Sequence, residues 1–404
     1  MGSGTLIELI ARGKQDIPIT GNPQITYFKT VYHRHTNFSV EPIRNIFNET
    51  PNFGRKTTCY IDKKADLLGA IYLEIELPSI YPAGWVNGIG NRIIKNVEFQ
   101  IGGETIDQIT GESLDIYNEM IVAPGIKDSY YDMVGKLMTY GPGSLTEPLT
   151  LYVPLPFWFC KDISRSLPLI NLGYMDISVI VELENFDDLW YQIGQSPVNP
   201  NSIVVTSMNL LCNYIYLDVH ERRKMLATPN IEYLIEQFQE PPTMSVLENQ
   251  TSFSHQIYLN HPVKEIIWFY QSYYAQSKNA TNNYANILNP NDPNLQQLVE
   301  PFTTVELKFN GNDRFNQLKA KYFRTVQPYE HHTSSPDMYV YLFSFALNPE
   351  MNQPSGTCNF SKIDDVRLNL GLCANILAGD IRMLAVNYNI LRIQSGMAGV
   401  LFSS

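Results

Sequence analysis

Two copies of one β-hairpin motif, set half the chain apart, constrain this sequence more than any other feature. The first copy is Val97-Glu98-Phe99-Gln100-Ile101-Gly102-Gly103-Glu104 and the second is Val305-Glu306-Leu307-Lys308-Phe309-Asn310-Gly311-Asn312. In each, three apolar residues alternate with polar ones, the period of a strand with one buried face. In each, the turn dipeptide, Gly102-Gly103 or Asn310-Gly311, can adopt the positive φ of a type I′ turn. The offset from Val97 to Val305 is 208 residues in a chain of 404. This predicts two similar β domains in tandem.

The surroundings of the two hairpins agree in order. A helix is predicted from Glu112 to Ile121, stopped near Pro124, and another from Gln317 to Val326, stopped near Pro328. Each is followed by a break and an aromatic-rich strand, Leu151 to Phe159 and Met338 to Phe345. An alternating strand comes next, with Ile177, Val179, Val181 and Leu183 on one face in the first half and Val366, Leu368 and Leu370 in the second. Strands elsewhere include Ala70 to Leu77 and Met208 to Leu217. The run Ile381 to Ile393 is so apolar that it reads as a last strand buried on both sides.

The length suits two domains of about 200 residues each. The content of 25 Tyr, 19 Phe, 24 Gly and 25 Pro favours strands and turns over helices. Residues 1–27 read as an arm. Thr5 to Ile10 can form one or two helical turns carrying Leu6, Ile7, Leu9 and Ile10, bounded by Gly13 and Pro18, with a turn at Thr20-Gly-Asn-Pro23. The first β domain is placed at 28–218, a linker at 219–230 containing a polar helix from Asp218 to Leu226, and the second β domain at 231–404, with Gly396 to Ser404 as a flexible tail. Two stretches, Ala123 to Thr150 and Ser272 to Pro301, lack regular patterning and are expected to form exposed interaction loops.

Net charge is −11, so a general electrostatic footprint on nucleic acid is not expected. The one compact basic cluster, Arg222-Arg223-Lys224 beside Glu221, reads as a solvated junction. Five cysteines, Cys59, Cys160, Cys212, Cys358 and Cys373, are an odd number without C-x-x-C spacing, as for buried free thiols in a reducing compartment. No signal peptide is visible and no apolar run approaches a membrane span, so the chain is expected neither to be secreted nor to cross a bilayer. Five N-x-S/T sequons, at Asn37, Asn48, Asn249, Asn279 and Asn359, are accordingly expected to be unused.

Little else points to chemistry. His33-Arg34-His35 would place two imidazoles on one face of a strand, and His331-His332 is the other histidine cluster. No matching set of carboxylate or cysteine ligands is evident in the sequence for either, so packing and hydrogen bonding are the expected roles. Asp187-Asp188 and Asp364-Asp365 are adjacent, so on a strand they would diverge, unlike a joint acid/base pair. No G-x-S-x-G occurs, and Gly88-Ile89-Gly90 lacks the context of a dinucleotide loop. No catalytic, cofactor-binding or metal residue is assigned, no cofactor is expected, and the chain is read as a non-enzyme.

The run Thr20-Gly-Asn-Pro-Gln-Ile-Thr26, followed by Tyr32-His-Arg-His-Thr-Asn-Phe38, closely resembles the opening of the major capsid proteins of nucleocytoplasmic large DNA viruses, the group of iridoviruses, phycodnaviruses and mimivirus relatives. Asn96 to Glu104, Pro154 to Phe159, Leu318 to Phe360 and Asp380 to Gly399 extend the resemblance over essentially the whole chain. It implies an all-β double jelly-roll, two eight-stranded sandwiches with short helices in the connections. It also implies a homotrimer with a pseudo-hexagonal outline that tiles the outer icosahedral shell of a large double-stranded DNA virus. Neighbouring capsomers and minor capsid proteins beneath the shell would be partners, an internal membrane would lie nearby, and nucleic acid would not be touched. The implied location is the virion, with assembly in the host cytoplasm. Two alternatives stand beside it: a minor or paralogous double jelly-roll protein at special lattice positions, and a tandem β-sandwich carbohydrate-binding protein.

Overall fold

The computed structural model describes residues 3–137, 146–192, 203–290, 292, 296–336 and 339–402. Two compact units are present, residues 1–37 and residues 38–404. In the first, helix α1 (Ser3–Ile10) is followed by a single turn, Ile17–Thr20, closed where the Gly13 N–H donates to the Asp16 carboxylate at 2.7 Å. Leu6, Ile7, Leu9 and Ile10 are all exposed, and His33 and His35 lie outside any helix or strand, so they share no strand face.

Among the described residues, the second unit holds sixteen principal strands. The first eight are β1 (Phe38–Ile46), β2 (Lys56–Tyr60), β3 (Leu67–Leu77), β4 (Ile94–Ile101), β5 (Glu104–Thr110), β6 (Leu149–Pro154), β7 (Ile177–Leu183) and β8 (Ser207–Leu217). They form two four-stranded antiparallel sheets, β1-β8-β3-β6 and β2-β7-β4-β5. The next eight are β9 (Asn230–Gln239), β10 (Ser252–Gln256), β11 (Pro262–Ser272), β12 (Phe302–Phe309), β13 (Asn312–Lys319), β14 (Val340–Ser344), β15 (Val366–Leu372) and β16 (Gly379–Gln394). Their sheet orders are β9-β16-β11-β14 and β10-β15-β12-β13. Adding eight to every label of the first pair of sheets gives the second pair. The molecule is a double jelly-roll.

The duplicated hairpins are β4-β5 and β12-β13. Ile101 faces Glu104 across one turn and Phe309 faces Asn312 across the other. Gly102 and Gly103 have φ of +60° and +84°, Asn310 and Gly311 of +49° and +80°. Alternation places Ile177, Val179, Val181 and Leu183 inside the first sandwich and Val366, Leu368 and Leu370 inside the second. Ile71, Leu73, Ile75 and Leu77 of β3 complete one wall of the first core.

Helix α2 (Gly111–Ile121) follows β5 directly, capped where the Ser113 N–H donates to the Thr110 side chain at 3.4 Å. A Cβ at Gly111 would stand 2.1 Å from the carbonyl oxygens of both Asn91 and Ile94, so only glycine lets the helix start this close to the β4 entry. Polar helix α3 (Val219–Ala227), capped by Asp218, leads from β8 toward β9.

Several expectations fail for local reasons. The second hairpin's return strand runs to Lys319, so no helix begins at Gln317. A π-turn covers Tyr322–Val326 and a helix Gln327–His331, whose first turn accepts Pro328 because that position needs no N–H partner. In the first aromatic run, β6 ends at Pro154 and Trp158–Lys161 is a helical turn. The stretch after Ser272 is partly regular, with helix Tyr273–Ser277 and paired strands Asn286–Leu288 and Gln297–Val299. The loop after Ala123 contains a helix, Lys127–Val134. Residues 138–145 of that loop and Met338 lie outside the described residues. The tail is a strand: Met397–Val400 returns along β16 through Ser395 and Gly396, at φ +53° and +83°. No helix among the described residues is long and apolar enough to cross a membrane.

Candidate functional site

The feature that distinguishes this chain from two beads on a string is the seam between its sandwiches. In sheet β9-β16-β11-β14, strand β11 and the middle of β16 are buried on both faces. Ile266, Trp268 and Tyr270 of β11 point into the second sandwich's own core, whereas Ile267 and Phe269, with Leu384 and Val386 of β16, join the first sandwich's core. This double burial is the physical reason for the near-continuous apolar run of the last long strand.

Hydrogen bonds fix the register of the seam. The Phe238 N–H on β9 donates to Asp107 Oδ1 on β5 at 2.9 Å, and Gln237 Nε2 donates to the Ile106 carbonyl. Glu240 accepts from the Thr110 N–H and hydroxyl, each at 3.0 Å. The ring of Tyr117 on α2 meets Phe238 edge-on at 5.1 Å.

Buried charge concentrates at the same place. Glu236, with only 2% of its side chain exposed, is held by Lys161 Nζ at 2.6 Å and Arg165 Nη1 at 3.1 Å from the first sandwich, and by Lys264 Nζ at 3.0 Å from the second. Burial opposes its ionisation, but Lys161, Lys264 and Arg165 outweigh that cost and hold the carboxyl well below the usual range. Lys264 is the extra residue where β11 and β16 slip register between Val263 and Glu265, which re-aims its side chain. Glu265 in turn lies 2.9 Å from His332 Nε2, and Glu350 lies 2.9 Å from Nδ1. Burial would lower the His332 pKa, yet the two carboxylates push it up to about 9. Asp107 is buried, and burial pushes it up to about 8 despite the Phe238 N–H.

A second network is carried by α2. Glu112, Asp115 and Glu119 are buried along the helix. Asp115 and Glu119 share Lys136 at 3.0 and 2.8 Å, and Glu119 also meets Lys127 at 2.8 Å. Glu112 binds Arg92 at 3.1 Å and reaches across the seam to Arg382. The Arg92 guanidinium further donates to the Thr281 carbonyl and the Tyr284 hydroxyl of the second sandwich, at 2.5 Å each.

These arrangements hold the two sandwiches together and present no reacting pair. Glu112, Asp115, Glu119, Glu236 and Glu265 each face a cation, and among the described residues no group of three or more His, Cys, Asp or Glu side chains could hold a metal ion. Asp187 and Asp188 lie in a 3-10 turn, and Asp365 binds Arg367 at 3.0 Å. Arg222 of the basic cluster binds Asp66 at 3.0 Å. All five cysteines are free thiols, and burial pushes Cys59 and Cys160 up to about 12. The sequence did not disclose the seam networks. Their partners are up to 270 residues apart, and Lys127 and Lys136 sit in a stretch without periodic signal.

Two sandwiches of the same sheet order, fused through a buried seam, define the double jelly-roll class of capsid protein. The chain belongs to the large eukaryotic DNA virus major capsid protein family. That family's model matches residues 221–399, and the model for the major capsid protein N-terminus matches residues 26–218. The major capsid protein of Pyramimonas orientalis virus is 38% identical over the full length of both chains, and that of Paramecium bursaria Chlorella virus 1 is 32% identical, again over all of both. Among solved structures, a chain of the PBCV-1 virus capsid is similar with a TM-score of 0.81 at 28% identity, covering 94% of this chain and 100% of that one. The Faustovirus major capsid protein shares the fold with a TM-score of 0.79 at 13% identity. The role of this chain is therefore structural, in a viral capsid shell.

Proposed function

We propose that this chain is the repeating coat protein of the outer icosahedral shell of a large double-stranded DNA virus, working as a homotrimer of pseudo-hexagonal outline and catalysing no reaction. The observation that carries this reading is the internal duplication. Two sandwiches with the same sheet order in one chain make three chains present six similar walls, which fits a lattice of sixfold contacts built from threefold units. Contacts with neighbouring capsomers and with minor capsid proteins beneath the shell follow from that placement. The exposed apolar residues Leu6, Ile7, Leu9 and Ile10 of α1 are assigned to the underside, toward those proteins and near an internal membrane. An acidic chain of net charge −11 suits a shell that does not touch the genome. Assembly is assigned to the host cytoplasm, which suits five free thiols.

Counting copies in purified particles tests this directly: the chain should be the most abundant virion protein. A second reading has its own support. Acanthamoeba polyphaga mimivirus has both a capsid protein 1 and a probable capsid protein 4 similar to this chain, at 27% and 29% identity. A paralogue at special lattice positions would be present in only a small number of copies per particle.

A further inference from the structure

A cleft of about 470 Å³ opens between the two sandwiches, at the ends of β5, β9 and β11 and the start of β16. The chain enters the double sandwich at Phe38, opposite Leu217 at the end of β8, and α3 carries it from there to the start of β9. Strand β9 then runs for ten residues, about 33 Å, before Glu240 reaches the cleft. The cleft is therefore at the end remote from Phe38. The coat reading above assigns the arm that precedes Phe38 to the underside, so on that reading the cleft faces outward.

Hydrogen bonds fix both walls. Asn279, at φ +50°, donates from its side chain to the Asp187 and Trp190 carbonyls of the first sandwich at 3.0 and 2.7 Å. The Thr281 carbonyl accepts from Arg92 and, at 3.3 Å, from Gln271. Most charge in the cleft is already paired: Arg92 and Arg382 hold Glu112, Lys95 holds Glu182, and Glu240 accepts from Thr110. Three lining groups are left over. Oε2 of half-buried Glu184 has no hydrogen-bond partner in the protein, and burial, with Asp188 nearby, pushes that carboxyl up. Nε2 of Gln276 has no partner either. Arg382 keeps 35% of its side chain exposed and has guanidinium N–H groups beyond the one on Glu112. Ile94, Leu189, Pro241 and Met383 supply apolar surface among them.

We propose that this cleft binds a neutral saccharide. Its volume falls within the range of small-molecule sites, roughly 300–1,000 Å³. A sugar ring carries hydroxyls that both donate and accept, set around an apolar C–H face. One such ring can donate to Glu184, accept from Gln276 and Arg382, and lay its C–H face on Leu189 or Met383. A simple cation could serve only the carboxylate, and a simple anion only the amide and the guanidinium. Pairing the leftover groups offsets the cost of keeping buried polar atoms unsatisfied. No aromatic ring lines the cleft among the described residues, so a single site binds weakly. A shell repeats the site in every copy, and that multivalency gives a particle avidity for a sugar-bearing surface. The outward direction rests on the coat reading; the binding site itself does not.

The test is saturation-transfer NMR on the full-length protein, with the methyl glycosides of glucose, galactose, mannose and xylose as probes and with glucuronate and glucosamine as charged counterparts. At least one neutral glycoside should show transfer. Glu184→Ala and Gln276→Ala should each weaken its binding by about tenfold, the loss expected for one hydrogen bond to a charged or buried group. Thr243→Trp, at an exposed lining position, should block binding while circular dichroism stays that of wild type. Transfer to none of the neutral glycosides, or transfer unchanged in both Gln276→Ala and Thr243→Trp, overturns the inference and leaves the coat reading standing. A copy number too low for a coat overturns that reading, and with it only the outward direction of the cleft.

Discussion

Glu236 on the second sandwich accepts a 2.6 Å hydrogen bond from Lys161 on the first, in a site that leaves 2% of the glutamate and 16% of the lysine side chain exposed. Neither residue belongs to a recognisable motif, yet they tie the two halves of a duplicated fold together. Lys264 and Arg165 add their charges to the same carboxylate, so one anion faces three cations.

Removing that anion should therefore be costly. Glu236→Gln would leave Lys264, with none of its side chain exposed, bound to the Pro349 carbonyl without the Glu236 charge and facing two other cations. Breaking a buried pair from one side typically costs about 3–5 kcal/mol. Chemical denaturation of the variant should show a loss of that size. A loss below about 1 kcal/mol would mean that the cluster is hydrated and that the seam does not depend on it.

The His332 site sets a pH dependence of definite sign. Its folded pKa, about 9, is raised above the ordinary 6.5 by Glu265 and Glu350, so its contribution is fully present below 6.5 and is lost as pH rises through 9. Asp107, raised by burial to about 8 from 3.8, adds a decline over that lower range. Comparing wild type with His332→Asn isolates the histidine. The stability difference between them should shrink steadily from pH 6.5 to 9. A constant difference would show that the imidazole carries no proton in the seam.

Glycines at two places should respond differently to substitution. Gly103 and Gly311 have positive φ and open space where a Cβ would go, so Gly103→Val or Gly311→Val should cost only the backbone strain, on the order of 1–2 kcal/mol each. Gly111→Ala introduces a carbon 2.1 Å from two carbonyl oxygens and must displace α2 or β4. Its urea midpoint should fall well below those of the turn variants. Equal midpoints would show that the α2 start is not fixed by close approach.

The arm should serve assembly more than folding. Leu6, Ile7, Leu9 and Ile10 are exposed on a helix of eight residues, too short to be stable alone in water. Deleting residues 1–18 is expected to leave a folded trimer with a melting temperature near wild type, while particle assembly fails. A deletion that prevents folding or trimer formation would place the arm in the core.

How much of this was legible in the sequence depended on the range of the interactions. The hairpins at Gly102-Gly103 and Asn310-Gly311, the strand over Ala70–Leu77 and the alternating faces of β7 and β15 were legible because turn chemistry and period-2 burial are local. The family resemblance reached the double jelly-roll as a whole. The helix expected at Gln317 was misread because Phe315 and Leu318 fit a helical spacing as well as a strand with a bulge, and β12-β13 indeed slips register twice. The tail hairpin at Ser395-Gly396 was missed because its return strand, Met-Ala-Gly-Val, has little strand propensity and is held by pairing to β16. The seam was not legible at all. Glu236 finds Lys161 and Arg165 only after both sandwiches exist, and nothing near Asp107 or His332 in sequence marks them as buried.

The central claim, that the duplicated fold exists to build a threefold unit, is tested most directly by the absolute mass of the purified full-length protein at micromolar concentration. Light scattering should give three times the 46.1 kDa chain mass, stable on dilution, as expected for obligate contacts burying more than roughly 2,000 Å². A single-chain mass that stays constant with concentration would contradict the account.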